Sequence, residues 1–240
     1  MKLLERFNSS KNQIAVLIDP DKFNFDLEFI QKIRFSKVDY IFIGGSTVGT
    51  EQFRTVAAFL SKNIDIPLIS FPGDVDQYSD DIDALLYLSL LSGRNPEYLI
   101  GRHIKTSTEI LQSNFESIPT AYLLLDGGRQ SATAYVSQTI PIPQSEIDII
   151  YRTAAAGILQ GKRLIYLDSG SGAIEQVQSE IINECASLGT PIIVGGGLKS
   201  IDDIKRVHAA GANIAVIGNY VESNVDFLLD VQGYLESVKK

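Results

Sequence analysis

Two glycine turns near the C-terminus, Gly195-Gly196-Gly197 and Gly218-Asn219, have the composition of a cradle for phosphate. Residues without Cβ let main-chain N–H groups converge on an anion, and a helix start behind them adds partial positive charge. The first turn is followed by Leu198-Lys199-Ser200 and a segment of helical period over 201–210, the second by Tyr220 and the last helical segment. A third stretch, Tyr166-Leu167-Asp168-Ser169-Gly170-Ser171-Gly172, sets a carboxylate at the end of an apolar run with hydroxyls and glycines behind it. Asp168 there is suited to accept a substrate hydroxyl proton while Ser169 and Ser171 donate to phosphate. A plain helix N-cap is the competing role for Asp168, although the next helical pattern begins only near Ile174.

Earlier in the chain, Asp19-Pro20-Asp21-Lys22 and Gly44-Gly45-Ser46-Thr47 each follow an apolar run. A carboxylate from the first beside a hydroxyl from the second makes an oxygen-rich site with few protein ligands. Mg2+ suits such a site, because it keeps several waters and shares its remaining positions with substrate phosphates. Taken singly, the two motifs also serve as an ordinary turn and an N-cap. His103 and His208 offer neither a metal cluster nor a triad; His208 lies mid-helix, while His103 or Arg102 could face an anionic group. Cys185 is the only cysteine, so no intrachain disulfide forms, and its helical context reads as a packed thiol.

The elements that would position these residues are short β-branched runs alternating with segments of helical period. The runs lie at 14–18, 40–43, 67–70, 84–88, 121–125, 163–167, 191–194 and 214–217, and the helical segments at 26–35, 51–62, 96–115, 145–160, 174–188, 200–210 and 221–238. Alternation of this kind predicts parallel βαβ units. Eight strands with a closing helix, and glycines late rather than after the first strand, favour a (β/α)8 TIM barrel over an open doubly wound sheet. Every candidate residue then falls at a C-terminal strand end, where barrels carry their sites, with phosphate at the last two loops. The interval 71–83 carries Pro72, Gly73 and five aspartates and little apolar periodicity, so the third helix is expected to be missing or modified.

The 240 residues, 45% of them apolar, suit a single domain over the whole chain. A formal net charge of -8 is the wrong sign for a nucleic-acid binder. Residues 1–8 lack the apolar run of a secretory signal, and no stretch approaches the length of a membrane span. A cytoplasmic location is therefore expected, and the composition is compatible with peripheral contact with a membrane.

Together these motifs resemble the geranylgeranylglyceryl phosphate synthase family, also called PcrB-like, over essentially the whole chain. Five features carry the resemblance: Leu17-Ile18-Asp19-Pro20-Asp21-Lys22, Ile43-Gly44-Gly45-Ser46, Asn95-Pro96-Glu97-Tyr98-Leu99-Ile100-Gly101, the 166–172 stretch with Gly195-Gly196-Gly197, and Gly218-Asn219. The resemblance implies an Mg2+-dependent prenyltransferase that joins an allylic prenyl diphosphate to the 3-hydroxyl of sn-glycerol 1-phosphate, giving an ether-lipid precursor. It also implies a barrel with a modified third helix. Carried over by position, it assigns Asp19 and Ser46 to Mg2+, and Tyr166, Leu167, Asp168, Ser169, Gly170, Ser171, Gly172, Gly196, Gly197, Gly218 and Asn219 to glycerol phosphate. Asp168 becomes the candidate to orient or deprotonate the hydroxyl.

Two departures stand out. Many relatives have a glutamate in place of Asp168, in a loop one residue shorter, and some have a lysine where this chain has Leu17. The missing charge would come from another group, Lys199 or Lys22. These differences are similar to the second of the family's two sequence groups, whose members form dimers or larger rings such as hexamers. The prenyl chain would need an apolar trench, for which the gap at the third helix offers a place, with Phe71, Tyr78, Tyr87 and Tyr98 as candidate lining. Two rivals share the glycine loops: a phosphosugar isomerase or epimerase pairing Asp19 with Asp126, and a non-catalytic barrel binding phosphate or flavin mononucleotide.

Overall fold

Runs of Val, Ile and Leu too short for a helix satisfy their main-chain groups by pairing with neighbours, and all eight do so here in parallel. In the computed structural model, which describes residues 2–238, the strands are β1 Gln13–Ile18, β2 Tyr40–Ile43, β3 Leu68–Ser70, β4 Ala84–Leu90, β5 Glu116–Leu124, β6 Leu164–Asp168, β7 Ile192–Gly195 and β8 Ile214–Ile217. They form a closed barrel in sequence order, completed by β1 against β8 with Gln13 opposite Ile214 and Val16 opposite Ile217. Side chains alternate between the two faces. Ala15, Phe42, Ile69, Leu86, Tyr166, Ile193 and Val216 fill the interior, whereas Val16, Ile43, Leu85, Leu167, Val194 and Ile217 pack outward with the helices.

The helical layer differs from the sequence reading in five places. A helix α1, Leu3–Ser9, was not expected; its Leu4 and Phe7 join the interior cluster, and Phe7 meets Tyr40 edge-on at 4.9 Å. After α2 Leu27–Ser36 and α3 Thr50–Asn63, the helix expected at 96–115 begins as a π-turn, Glu97–Gly101, before α4 Arg102–Gln112. A short α5, Ala132–Ser137, precedes α6 Ile147–Leu159. The start expected at 174 is delayed, since α7 spans only Ser179–Ala186, and after α8 Ile201–Ala209 the last segment splits into α9 Asn219–Ser223 and α10 Phe227–Val238. β5 also starts ahead of its expected first residue: Pro119 has no N–H to give, but its carbonyl accepts from Arg163 N–H at 2.8 Å, which keeps the ladder intact.

The expectation at 71–83 holds: no helix lies between β3 and β4 among the described residues. Main-chain groups that a helix would have covered are met by one fully buried side chain, Gln77. Its Nε2 donates to the Gly45 and Val48 carbonyls, both at 3.0 Å, and its Oε1 accepts from Gly73 N–H at 2.9 Å. Its own carbonyl accepts from Ser70 Oγ at 2.7 Å. The segment is thereby stapled to the β2 loop so closely that a Cβ on Gly73 would lie 2.3 Å from the Gly45 carbonyl oxygen. Gln77→Ala leaves three main-chain groups without their partner, the Val48 carbonyl buried and the Gly45 carbonyl and Gly73 N–H partly buried, and a buried group so stranded costs about 1–3 kcal/mol. Urea denaturation is expected to show a stability loss of at least about 2 kcal/mol; an unchanged midpoint would mean that water replaces the carboxamide freely.

Candidate functional site

The C-terminal ends of the strands surround a cavity of about 410 Å³. Its wall includes Asp19, Ser46, Tyr166, Asp168, Ser171, Gly172, Gly196, Gly197, Gly218 and Asn219, so most of the residues singled out in the sequence converge on one space. Leu167 and Ser169 are placed differently. Strand alternation turns Leu167 outward into the layer beneath the helices, leaving only its main chain near the site. Ser169, 2% exposed, donates from Oγ to the Gly196 carbonyl at 3.2 Å instead of facing the cavity. It locks the two glycine loops together, and a Cβ on Gly196 would sit 2.4 Å from that hydroxyl. Gly170 likewise lies against Ser131, where a Cβ would approach the Ser131 Cβ to 2.7 Å.

These loops need glycine for conformation as well as space, since Gly196 and Gly197 have φ of 93° and 72° and Gly172 has 71°. The helix behind the first turn contributes less positive charge than its position suggests. Ser200 caps α8 in a capping box, and Asp203 accepts from the N–H groups of both Lys199 and Ser200 at 3.0 and 2.9 Å. With Asp202 also in that first turn, the helix's own carboxylates answer its dipole. In the second loop, Asn219 Nδ2 donates to Ser171 Oγ at 2.7 Å, joining the β8 and β6 tips.

Asp168 is 7% exposed and reaches the cavity between these loops. Tyr122 Oη donates to its Oδ2 at 2.7 Å, and Gly170 N–H donates to its Oδ1 at 2.7 Å. Burial pushes this carboxyl above the usual carboxylate range, and the two hydrogen bonds recover only part of the shift. Asp168 is not an N-cap, because α7 begins eleven residues later. Tyr122 is a partner the sequence did not reveal: it lies mid-run on β5, with nothing to separate it from a core tyrosine. Phe71 stacks on Tyr166 at 4.8 Å and meets Tyr122 edge-on at 5.7 Å, building an aromatic wall beside the carboxylate.

Opposite, Asp19 is held by an Asx turn in which its Oδ1 accepts from Asp21 N–H at 3.1 Å. A Cβ on Gly45 would fall 2.7 Å from that oxygen, so the glycine clears room for the carboxylate. Lys22 Nζ bridges Asp19 Oδ2 at 3.2 Å and Glu222 Oε2 at 3.6 Å. Burial tends to depress Lys22, but Glu222 and Asp19 outweigh it and leave the amine raised; burial also raises Glu222. Among the described residues no group of three or more His, Cys, Asp or Glu could hold a metal, so a cation here would rest on Asp19 and the Ser46 hydroxyl.

From the mouth the cavity passes through the wall at β4. Leu86 and Leu88 line it from the barrel interior, Leu85 and Tyr87 from the outer face, and Thr106 and Ile110 of α4 close the far end. Phe71, Tyr87 and Tyr98 line it as expected, but Tyr78 does not: it packs against Phe115 at 6.1 Å. His103 is wall rather than anion contact, its Nε2 donating to the Leu88 carbonyl at 2.6 Å and its ring lying 4.4 Å from that of Tyr87. Arg102 is engaged by Asp74 at 2.7 Å and stacks over Tyr98 at 4.3 Å. His208 stacks on Tyr234, and burial pushes the Cys185 thiol up to about 12, so both are structural. Asp126 is exposed, spends Oδ1 on Gly128 N–H at 2.9 Å and lies outside the cavity wall, so it does not pair with Asp19. No helix among the described residues is long and apolar enough to cross a membrane.

Comparison with known proteins gives the same picture. The chain is 47% identical to the geranylgeranylglyceryl phosphate synthase of Zunongwangia profunda, over 89% of this chain and 92% of that one. It is 37% identical to the synthase of Korarchaeum cryptofilum over 100% of both chains. The crystal structure of (S)-3-O-geranylgeranylglyceryl phosphate synthase from Thermoplasma acidophilum, solved with its substrate sn-glycerol-1-phosphate, superposes with a TM-score of 0.90 at 27% identity, covering 100% of this chain and 99% of that one. A thiamine phosphate pyrophosphorylase from Pyrococcus furiosus, at 13% identity and a TM-score of 0.58, shares the fold alone. The sequence profile of the PcrB family matches residues 7–233, and the chain belongs to that family.

Proposed function

We propose that this chain transfers a prenyl group from an allylic prenyl diphosphate to the 3-hydroxyl of sn-glycerol 1-phosphate, releasing diphosphate. The observation that carries this reading is one continuous cavity, glycine-lined at the barrel mouth where Asp168 borders it and apolar where it crosses β4. A phosphosugar isomerase has no use for the apolar arm, and its required carboxylate pair is not formed. Geranylgeranyl diphosphate is the donor that the names of the relatives suggest.

In this reading the glycine turns hold the phosphate of the acceptor and leave its 3-hydroxyl at Asp168. As the allylic C–O bond breaks, its electron pair leaves with the diphosphate; the hydroxyl oxygen forms the new C–O bond, and its proton passes to Asp168. The π faces of Phe71 and Tyr166 favour positive charge on the allylic carbon. Asp19 and Ser46 fit Mg2+, since both are hard oxygen donors that border the same cavity. Mg2+ held there would neutralise charge on the departing diphosphate. Lys22, which also pairs with Glu222, would have to release Asp19 for the ion to bind there.

Incubation with radiolabelled sn-glycerol 1-phosphate, Mg2+ and prenyl diphosphates of graded length tests the reading. An organic-extractable product is expected, and none at any length would overturn it. Asp168→Asn is expected to lower kcat roughly 10²- to 10⁴-fold with stability retained. Mn2+ binding, followed by electron paramagnetic resonance, should weaken in Asp19→Asn; unaltered binding would remove Asp19 from the metal site.

The pH dependence has a definite sign. A base with a raised pKa is protonated, and inactive, up to a higher pH, so the acid limb of kcat/KM lies above the ordinary carboxylate range. Tyr122→Phe removes a bond that holds the Asp168 pKa down, and the limb is expected to move further up. A limb that stays in place would show that Tyr122 does not set the ionisation of Asp168.

A further inference from the structure

The phosphate cradle has one cation at its edge, the exposed Lys199 that borders the cavity beside Gly197. α8 is capped by its own residues, and Lys22 is bound by two carboxylates. Leu17 packs under the second glycine turn, with its Cβ 3.4 Å from where a Gly218 Cβ would be. A dianion resting on main-chain N–H groups alone would lose much of its hydration without full compensation.

We propose that Arg129, on the loop after β5, is the residue that binds the phosphate of the acceptor. The proposal rests on the glycerol phosphate reading above. The position a Cβ would occupy on Gly172 lies 3.3 Å from Arg129 Nη1 and 4.0 Å from Asn219 Nδ2. Two nitrogen donors thus converge over a residue that has no side chain, beside Ser171, whose hydroxyl accepts from Asn219 and keeps its own hydrogen to give. Among the described residues Arg129 makes no ion pair, ring contact or side-chain hydrogen bond. A guanidinium is always charged and presents parallel N–H groups that match phosphate oxygens.

Its loop is built to hold it there. Gly128 N–H closes an Asx turn on Asp126, and the N–H groups of Ile174 and Glu175 both donate to the Gly127 carbonyl at 2.9 and 3.0 Å. Gly127 is so close to the β6 loop that a Cβ would lie 2.2 Å from the Ser169 carbonyl oxygen. The loop carrying Arg129 and the loop carrying Ser171 and Gly172 therefore form one unit.

Isothermal titration of the whole protein with sn-glycerol 1-phosphate, inorganic phosphate and inorganic diphosphate tests the proposal. Arg129→Met is expected to weaken the first two roughly 10- to 100-fold, the value of a charge-assisted pair, and to raise the KM for glycerol phosphate rather than for the prenyl diphosphate. Arg129→Lys should recover part of the loss. Thermal melting close to that of the unsubstituted protein will show that the change is local, as befits an exposed side chain. Unaltered binding in Arg129→Met, loss confined to diphosphate, or the full effect appearing in Lys199→Met instead would overturn the assignment. Inorganic phosphate bound through Arg129 without any binding of glycerol phosphate would overturn the acceptor reading and leave Arg129 as a phosphate ligand; binding of neither by the unsubstituted protein would overturn both.

Discussion

A barrel that omits a helix has to find partners for the main-chain groups left bare at that place, and here the requirement falls on one buried carboxamide. Gln77 bonds to Gly45, Val48 and Gly73, and so ties an irregular thirteen-residue connection to the tip of the neighbouring strand. The rest of the site follows from that tie. Gly45 is fixed against Asp19, and Phe71 is delivered to the barrel mouth, where it stacks on Tyr166. With no helix over β3, the wall stays open for the cavity to pass outward between β4 and α4.

The opposite side of the mouth is governed by main chain rather than side chains. Three loops, after β5, β6 and β7, approach so closely that glycine is the only residue that fits at several of their contacts. Ser169 lies at the centre of this packing, and its hydroxyl is directed at a neighbouring carbonyl. Rigidity of this kind gives a fixed geometry for an anion with little entropy left to lose on binding. It also isolates Asp168: enclosed by the loops and by Tyr122, the carboxyl keeps a raised affinity for a proton while one edge meets the cavity.

Much of this was legible in the chain. The eight apolar runs became the eight strands because strands buried on both faces need nothing but short β-branched stretches, and the third-helix gap was announced by Pro72, Gly73 and the aspartates. Asp19, Ser46, Asp168 and the glycine turns stood at strand ends, where position alone carries information. Tyr122, Gln77, Glu222 and Arg129 did not stand out, because each works across the barrel or between loops. Their significance lies in neighbours 29 to 200 residues away, as with Gln77 and Val48 or Lys22 and Glu222. Ser169 and Leu167 show the converse limit. Both belong to the right motif, but strand alternation and loop packing turn their side chains from the ligand space.

The alternation along β4 places Leu86 and Leu88 on one face and Leu85 and Tyr87 on the other, and both faces border the same cavity. The two arms of the site are thus written in interleaved letters of a single strand. Substitution at the odd positions reshapes the apolar arm while the even ones keep the mouth intact, so depth and chemistry can diverge separately in evolution. Insertion or deletion within the strand has no such freedom: one residue gained or lost exchanges the two sets at once.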